Sequence, residues 1–483
     1  MELKDTPNEI LNLIIGHLVE LIDLSHADDT REIHRDLLSA RLVCRQWNSL
    51  ATGHLYHTLK LAPAGTVDDN EDVFKDWNTI LDLDAARNAA QRVIIQSCPG
   101  ELSTNMDYGD WKGWKDGEHP AFTSAIRRIT QLPNVKAIEV HFSKNCKGQI
   151  GGWDDDFEPT ETRLLTLKAV FEAIRERAAH SDAGFRCPIR SLTIRNLQNM
   201  PHQEFIDSIL FKDVAKKVDG LHLLITEEHN EDGPDHDFFV HERLVYESHL
   251  QTQILPHFEA NLTALTLSFQ DPWGTMPGYF DGAGLRFRYL KTLNLANFVI
   301  SNNYHFDWVL SQTALTTLRL DSCFILSYIR TNTTYTKKWS LHTQDWHHLP
   351  IGSYDFSDDD DDLYSFDGTW ETIFDSICDN LLYLQDFRFE ETGNGLNFLR
   401  PSRIGTVLYP NRYTTFDIGL LPSPWIESDR VTGEMEFGDN DPSVAEEGND
   451  DRVRSNLNRS EETKQGDTRA FRDLLQACRE NAD

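Results

Sequence analysis

A six-residue pattern, apolar-x-x-apolar-x-apolar, constrains the fold of this 483-residue chain more than any other feature of its sequence. Beyond residue 61 the pattern occurs at residues 135–140, 189–194, 218–223, 262–267, 290–295, 315–320 and 384–389. Its last three positions alternate inward and outward, as in a short strand with one buried face. The sequence therefore predicts a series of similar short strands.

The spacing of these copies favours a repeated architecture. Their central apolar residues are Ile138, Leu192, Leu221, Leu265, Leu293, Leu318 and Phe387. The intervals between them are 54, 29, 44, 28, 25 and 69 residues, and three of these lie near the length of a leucine-rich repeat. The long intervals would hold insertions or an unrecognised repeat.

Helical patterns at 164–179, 202–214 and 369–380 separate several of the strands. Strand followed by helix, repeated, predicts an α/β fold in which residues 61–421 resemble a divergent leucine-rich-repeat domain. We expect an irregular α/β solenoid with a parallel sheet on its concave side. The alternative is an ordinary α/β domain whose strands are rich in leucine.

Residues 1–60 have a different, helical pattern. Thr6 can accept a hydrogen bond from the backbone N–H of Glu9, with Pro7 at the first helical position, so a helix begins here. Apolar residues then recur at helical spacing. Two short helices from residue 36 and an extended segment at 55–61 follow. So small a unit exposes much apolar surface when alone, so we expect a partner, either the rest of the chain or another protein.

The strings PNEIL at residues 7–11 and RLVCRQW at 41–47 resemble an F-box, particularly those that open long F-box proteins of filamentous fungi. The resemblance implies that this module binds the Skp-type adaptor, and through it the cullin, of an SCF-type ubiquitin ligase. It places the adaptor contacts at Pro7, Ile10, Leu11, Ile14, Leu37, Leu42, Val43 and Trp47. The alternative for each of these residues is the module's own core. Two features depart from the family: Thr6 stands where Leu is usual, and the 19–35 segment is long.

The charge of the chain limits its partners. Lys and Arg total 46 against 78 Asp and Glu, a net charge of −32 that repels nucleic acid and anionic membranes. We therefore expect neither as a partner, unless a local basic patch exists. The seven cysteines form no CxxC pair, and neither a secretory signal nor a membrane span is visible, so we expect a cytoplasmic or nuclear protein.

The remaining segments are polar or amphipathic. Acidic runs at 151–156, 227–237 and 358–362 are predicted to be solvated loops, and residues 422–466 a flexible acidic connector. Residues 467–483 carry apolar side chains at helical spacing, which predicts an amphipathic helix that docks on the open end of the solenoid.

We find no nucleophile elbow, phosphate-binding loop, dinucleotide fingerprint or HExxH, and the histidines are not spaced for one metal. No catalytic residue, metal site or cofactor is predicted, and we expect a non-enzymatic receptor that holds a protein target. The candidate target surface is the strand face, with exposed residues expected at Lys136, Glu139, Arg195, Thr266, Asn294 and Arg319. A repeat scaffold without ligase association is the main alternative, and an enzyme with an unfamiliar site is another.

Overall fold

The computed structural model of the chain describes residues 7–20, 35–63, 73–97, 119–146, 158–181, 187–227, 240–350, 353, 361–391, 406–418, 425–426 and 459–482. The chain divides into two compact units. Unit 1 contains residues 1–143, 155–195 and 209–217, and unit 2 contains 144–154, 196–208 and 218–483. The predicted 61–421 domain contributes to both units, and its boundaries stay predictions.

The secondary structure alternates helices and strands. The helices are α1 (Asn8–Glu20), α2 (Arg45–Leu55), α3 (Lys75–Leu81), α4 (Asp84–Ala89), α5 (Pro120–Arg127), α6 (Thr160–Ser181), α7 (Gln203–Asp207), α8 (Ile209–Ala215), α9 (His241–His249), α10 (Asp307–Leu310), α11 (Thr333–Lys338), α12 (Trp370–Asn380) and α13 (Ser460–Ala482). The strands are β1 (Thr58–Leu61), β2 (Arg92–Gln96), β3 (Ala137–His141), β4 (Ser191–Gln198), β5 (Gly220–Thr226), β6 (Ala264–Trp273), β7 (Thr292–Ile300), β8 (Thr317–Asp321), β9 (Phe324–Asn332), β10 (His347–His348), β11 (Asp361–Ser365), β12 (Asp386–Glu390), β13 (Tyr413–Asp417) and β14 (Trp425–Ile426). A further helical stretch covers 35–40, and the chain after α9 continues as a π turn and a 3-10 turn to Phe258.

In unit 1 the opening helices lead directly into a parallel ladder of strands. β1 pairs with β2, β2 with β3, and β3 with β4, all parallel. The apolar positions are in register along the ladder, with Leu59 opposite Val93, Val93 opposite Ile138, and Ile138 opposite Leu192. The strands predicted at 135–140 and 189–194 are confirmed, and β1 and β2 extend the same arrangement toward the N-terminus.

Unit 2 contains a second parallel ladder, of β5, β6, β7, β8 and β12. The central residues of the pattern face one another across it: Leu221, Leu265, Leu293, Leu318 and Phe387 are successive partners. All are almost fully buried. Because β8 pairs directly with β12, the interval of 69 residues between them contains an insertion and not a missed repeat of this ladder.

That insertion builds a mixed sheet. β9 pairs antiparallel with β11 and parallel with β13, and it also joins the end of β7. The structure is therefore mixed α/β, with an N-terminal helical region followed by extensive sheet. The single solenoid with a purely parallel concave sheet, and the leucine-rich-repeat assignment, stay predictions.

The predicted helices were largely correct. The 164–179 pattern lies inside α6, and α12 begins after Thr369, whose side chain caps it by accepting from the Thr372 N–H. The 202–214 pattern is instead two short helices, because the extended backbone of Ser208 ends α7. The acidic runs at 151–156, 228–237 and 358–360 lie outside the described residues, whereas residues 361 and 362 belong to β11.

The C-terminal helix packs within unit 2 and begins at Ser460, inside the segment assigned to the connector, while its docking on the open end of a solenoid stays a prediction. Phe471 packs against Phe374 of α12 and against Phe387 and Phe389 of β12. Residues 427–458 of the predicted connector lie outside the described part of the chain.

The beginning of α13 is fixed by a buried ion pair. The carboxylate of Asp467, which has no exposed surface, accepts from Arg412 Nε at 2.8 Å and from the Tyr413 hydroxyl at 3.1 Å. It also accepts from the backbone N–H of Glu371 at 2.9 Å. These partners compensate the desolvation of both charges, so the ion pair fixes the position of the helix against β13 and α12.

Candidate protein-docking surface

Helix α1 carries a wide apolar surface, of which only one part faces the core of the module. Leu11 and Ile15 have no exposed surface and form part of the core of the N-terminal module. At 100° per residue, Ile10 and Ile14 lie beside this buried stripe and Leu13 lies almost opposite it, and the three are 47, 45 and 65 % exposed. The apolar surface of α1 is therefore wider than the part that the module itself covers.

Other apolar side chains of the same module are exposed as well. Leu38, in the helical stretch at 35–40, is 48 % exposed, and Leu42 and Val43, in the turn before α2, are 87 and 61 % exposed. We call the set of exposed residues the apolar patch: Ile10, Leu13, Ile14, Leu38, Leu42 and Val43. Six large apolar side chains exposed within one small module are unusual for a monomer and mark an interaction site.

The eight residues predicted to contact an adaptor separate into three groups. Pro7, Ile10, Ile14, Leu42 and Val43 are exposed. Leu11 and Leu37 are buried at 0 and 2 % exposure, so in the free chain they form core and present no surface to a partner. Trp47 is half-buried and packs against the cluster of Ile15, Leu37, Ala40 and Ala51.

Leu13 and Leu38 were absent from the predicted contacts. The signal for Leu13 was visible, because helical spacing places it almost opposite the stripe of Leu11 and Ile15. Leu38 follows Leu37 directly, and in a helix adjacent residues point about 100° apart. Buried Leu37 therefore leaves Leu38 outside.

Polar contacts fix the orientation of α1 against α2. Gln46 Nε2 donates to Asn8 Oδ1 at 2.7 Å, and the His54 ring is 2.9 Å from Asn12 Oδ1. Asn8 and Asn12 are one helical turn apart, so both contacts lie on one edge of α1. The apolar patch is thereby presented as a preformed surface, which reduces the entropy cost of binding.

The strand face differs from the expectation. Glu139, Thr266, Asn294 and Arg319 were expected to be exposed, but they are buried at 1, 0, 6 and 6 % exposure, and this part of the prediction was wrong. Lys136 is exposed and Arg195 is partly exposed.

Cross-strand pairing explains the burial in unit 1. Glu139, on the central strand β3, pairs with Arg92 of β2, with Arg195 of β4 at 2.5 Å and with His141 at 2.5 Å. In an in-register parallel ladder each polar side chain has neighbours on both adjacent strands, and these neighbours cover it. The carboxylate is thus part of an internal charge network.

The same arrangement recurs in unit 2. The Thr266 hydroxyl is 2.7 Å from the His222 ring and accepts from Asn294 Nδ2 at 2.9 Å. Arg319 lies 3.5 Å from the Glu390 carboxylate. The central strand positions therefore hold the ladder together by polar contacts and offer little surface to a target.

Unit 2 also contains a small, partly open cavity beside Glu247, Arg243 and Trp425. Its volume of about 10 Å³ is enough for one water molecule. Burial raises the pKa of Glu247 to about 8, although the Gly274 N–H, 2.9 Å from its carboxylate, lowers it in part. A cavity of this size admits no organic substrate.

Among the described residues, no group of three or more His, Cys, Asp and Glu side chains is arranged to hold a metal ion. No described helix combines the length and apolarity needed to cross a bilayer.

Comparison with known families agrees with the position of the apolar patch. A family model described as F-box-like matches residues 5–62, which include α1, α2 and β1. No curated protein matches the chain. The N-terminal module is therefore an F-box-like domain, a type of domain that typically binds Skp-type adaptors.

Proposed function

We propose that this protein is the substrate-recognition subunit of an SCF-type cullin–RING ubiquitin ligase, and that its apolar patch binds the Skp-type adaptor. The single observation that carries the proposal is the exposed, preformed patch on the domain that matches the F-box-like family. Leu11 and Leu37, predicted as direct contacts, act in this proposal as the core that supports the patch.

The role is positional and needs no catalytic group. A target bound elsewhere on the chain is held near a ubiquitin-charged enzyme in the assembled complex, which raises the effective concentration of its lysines. The protein itself would be non-enzymatic and would work in the cytoplasm or nucleus. The target would bind the leucine-rich-repeat-like region. The whole chain would then resemble the long F-box proteins of filamentous fungi, in which an F-box precedes such a region.

The alternative is a scaffold that keeps the F-box-like domain as a cap on its sheet. One observation favours it: β1, which belongs to the domain, pairs along its whole length with β2, so the domain does cover one edge of β2. A terminal cap, however, needs a polar outer face for solubility. Leu42 at 87 % exposure and Leu13 at 65 % do not fit that requirement.

The test is co-purification of the full chain with a recombinant Skp-type adaptor. The informative variant is Leu13→Asp with Leu42→Asp, because both side chains are exposed and the changes place charges in the centre of the contact. We expect adaptor binding to be lost while the melting curve of the free protein changes little. Leu11→Asp would be uninformative, because a buried charge unfolds the module.

The matched control is Leu83→Asp with Leu165→Asp, two exposed leucines of unit 1 outside the patch, at 46 and 41 % exposure. This variant should bind the adaptor like the wild type. Absence of binding by the wild-type chain would favour the scaffold alternative, and equal binding by the patch variant would remove our site assignment.

A further inference from the structure

The turn that precedes β7 carries a local excess of positive charge. Arg286, Arg288 and Lys291 are all exposed there, with buried Leu285 and Phe287 alternating between them. In a chain with 78 acidic residues against 46 basic ones, a cation is expected to have a carboxylate partner. None of these three side chains forms an ion pair with another described residue, whereas the cations of the strand face do.

Main-chain hydrogen bonds fix how this turn lies against its neighbours in unit 2. The N–H of Thr316, before β8, donates to the carbonyl of Lys291 at 2.9 Å. The N–H of Gln385, before β12, donates to the carbonyl of Thr316 at 2.8 Å. The turns before β7, β8 and β12 are therefore stacked in register along one edge of the ladder.

Two tyrosines occupy equivalent places on this edge. Tyr289 and Tyr383 each stand two residues before the bonded positions, and they are 60 and 67 % exposed. The equivalent residue of the intervening turn is the small Ala314. With adjacent strands about 4.8 Å apart, the two tyrosines are about 10 Å apart, and Ala314 leaves a gap between them.

We propose that this tyrosine–cation surface, formed by Arg286, Arg288, Tyr289, Lys291 and Tyr383, binds an extended acidic segment of a partner protein. The three cations select for Asp and Glu by charge complementarity. A segment in the extended polyproline II conformation advances about 3.1 Å per residue with three residues per turn, so side chains three positions apart lie on one face about 9 Å apart and match the separation of the tyrosines. The segment would carry apolar or aromatic residues at positions i and i+3.

Binding itself is independent of the proposed ligase function. Only the identification of the bound protein as a ubiquitylation target rests on that function. Nucleic acid is the competing polyanion, but the net charge of −32 repels a long phosphate backbone, whereas a short acidic peptide meets mainly the local field.

The experiment measures fluorescence anisotropy of a labelled peptide with the full-length protein. The probe is a twelve-residue peptide of Asp and Glu with two Phe residues three positions apart. We expect it to bind at low salt and to weaken as NaCl rises to about 0.5 M. A peptide with Asn and Gln in place of the acids should not bind, and moving the two Phe residues next to each other should weaken binding about tenfold.

The test variants separate charge from aromatic contact. Arg286→Ser, Arg288→Ser and Lys291→Ser together should weaken binding at least tenfold and remove its salt dependence. Tyr289→Ala with Tyr383→Ala should weaken it by about tenfold or more and leave the salt dependence.

The charge-matched control removes three exposed cations elsewhere in unit 2, by Lys337→Ser, Lys338→Ser and Arg472→Ser, and should bind like the wild type. Undetectable binding by the wild type, equal binding by the triple-serine variant, or equal loss in the control would overturn the proposal. So would an oligonucleotide that binds as tightly at the same residues. The triple-serine variant should also bind the Skp-type adaptor like the wild type. Failure of the peptide proposal can therefore be distinguished from failure of the proposed ligase function.

Discussion

Replacement of Leu13 and Leu42 by alanine should weaken adaptor binding without unfolding the module. Each change removes about three methylene equivalents, worth about 0.8 kcal/mol apiece when fully buried. The two side chains are 65 and 87 % exposed, so most of this area remains to be buried by a partner. Scaled by those fractions, the double variant should lose about 4 kcal/mol of binding free energy, a several hundredfold increase in Kd.

Isothermal titration calorimetry with a purified Skp-type adaptor measures the binding loss, and urea unfolding measures the folding cost. The free energy of unfolding should fall by only about 1 kcal/mol, because little of either side chain is buried in the free chain. Leu11→Ala should show the reverse, with about 2–5 kcal/mol lost in folding and little change in Kd for the folded fraction. Wild-type affinity of the Leu13 and Leu42 variant would refute the assignment of the patch.

Three other predictions concern stability. Asp467→Asn leaves the Arg412 guanidinium buried without a counter-ion, so we expect the free energy of unfolding in urea to fall by about 3–5 kcal/mol. Protease should also cleave α13 earlier than in the wild type, and unchanged stability would contradict the buried ion pair. Burial lowers the pKa of His305 from 6.5 to about 4, and the ring receives the Ser301 N–H and donates to the Phe280 carbonyl. The wild type should therefore lose about 3 kcal/mol as pH falls from 6.5 to 4, and His305→Gln should flatten that loss. The pKa of Glu247 is raised from 4.5 to about 8, so its effect on stability is opposite to that of His305: stability is lost as pH rises from 4.5 toward 8. The stability of Glu247→Gln relative to the wild type should therefore be about 3 kcal/mol more favourable at pH 7 than at pH 4.5. Thermal melts of both proteins in both buffers measure this difference.

The strands of unit 2 were predictable because each is encoded locally. Leu265, Leu293 and Leu318 alternate with polar neighbours, and burial of one face follows directly from that alternation. β2 was missed because its pattern begins with Ala90, which is fully buried but small, and because Ile94 breaks the alternation. Tertiary packing can bury an alanine, but a search for large apolar residues at this spacing does not recognise it.

The site was only partly predictable, for a different reason. An apolar residue in the stripe of α1 is equally compatible with core and contact, and only the direction of the other helices decides that Leu11 is inside and Ile14 outside. Burial of Glu139 depends on Arg92 and Arg195, which are distant in sequence and adjacent only once the register is known. No local pattern contains that information.

The strand joint between β1 and β2 has a mechanical consequence. β1 follows α2 after a short turn and is hydrogen-bonded to β2, so the described end of the opening domain is joined to the ladder of unit 1 by a strand and not by a loop. If an adaptor binds α1 as proposed, this strand would carry the load between the adaptor and the ladder. The β1–β2 pairing would then set the direction in which the ladder of unit 1 leaves the adaptor.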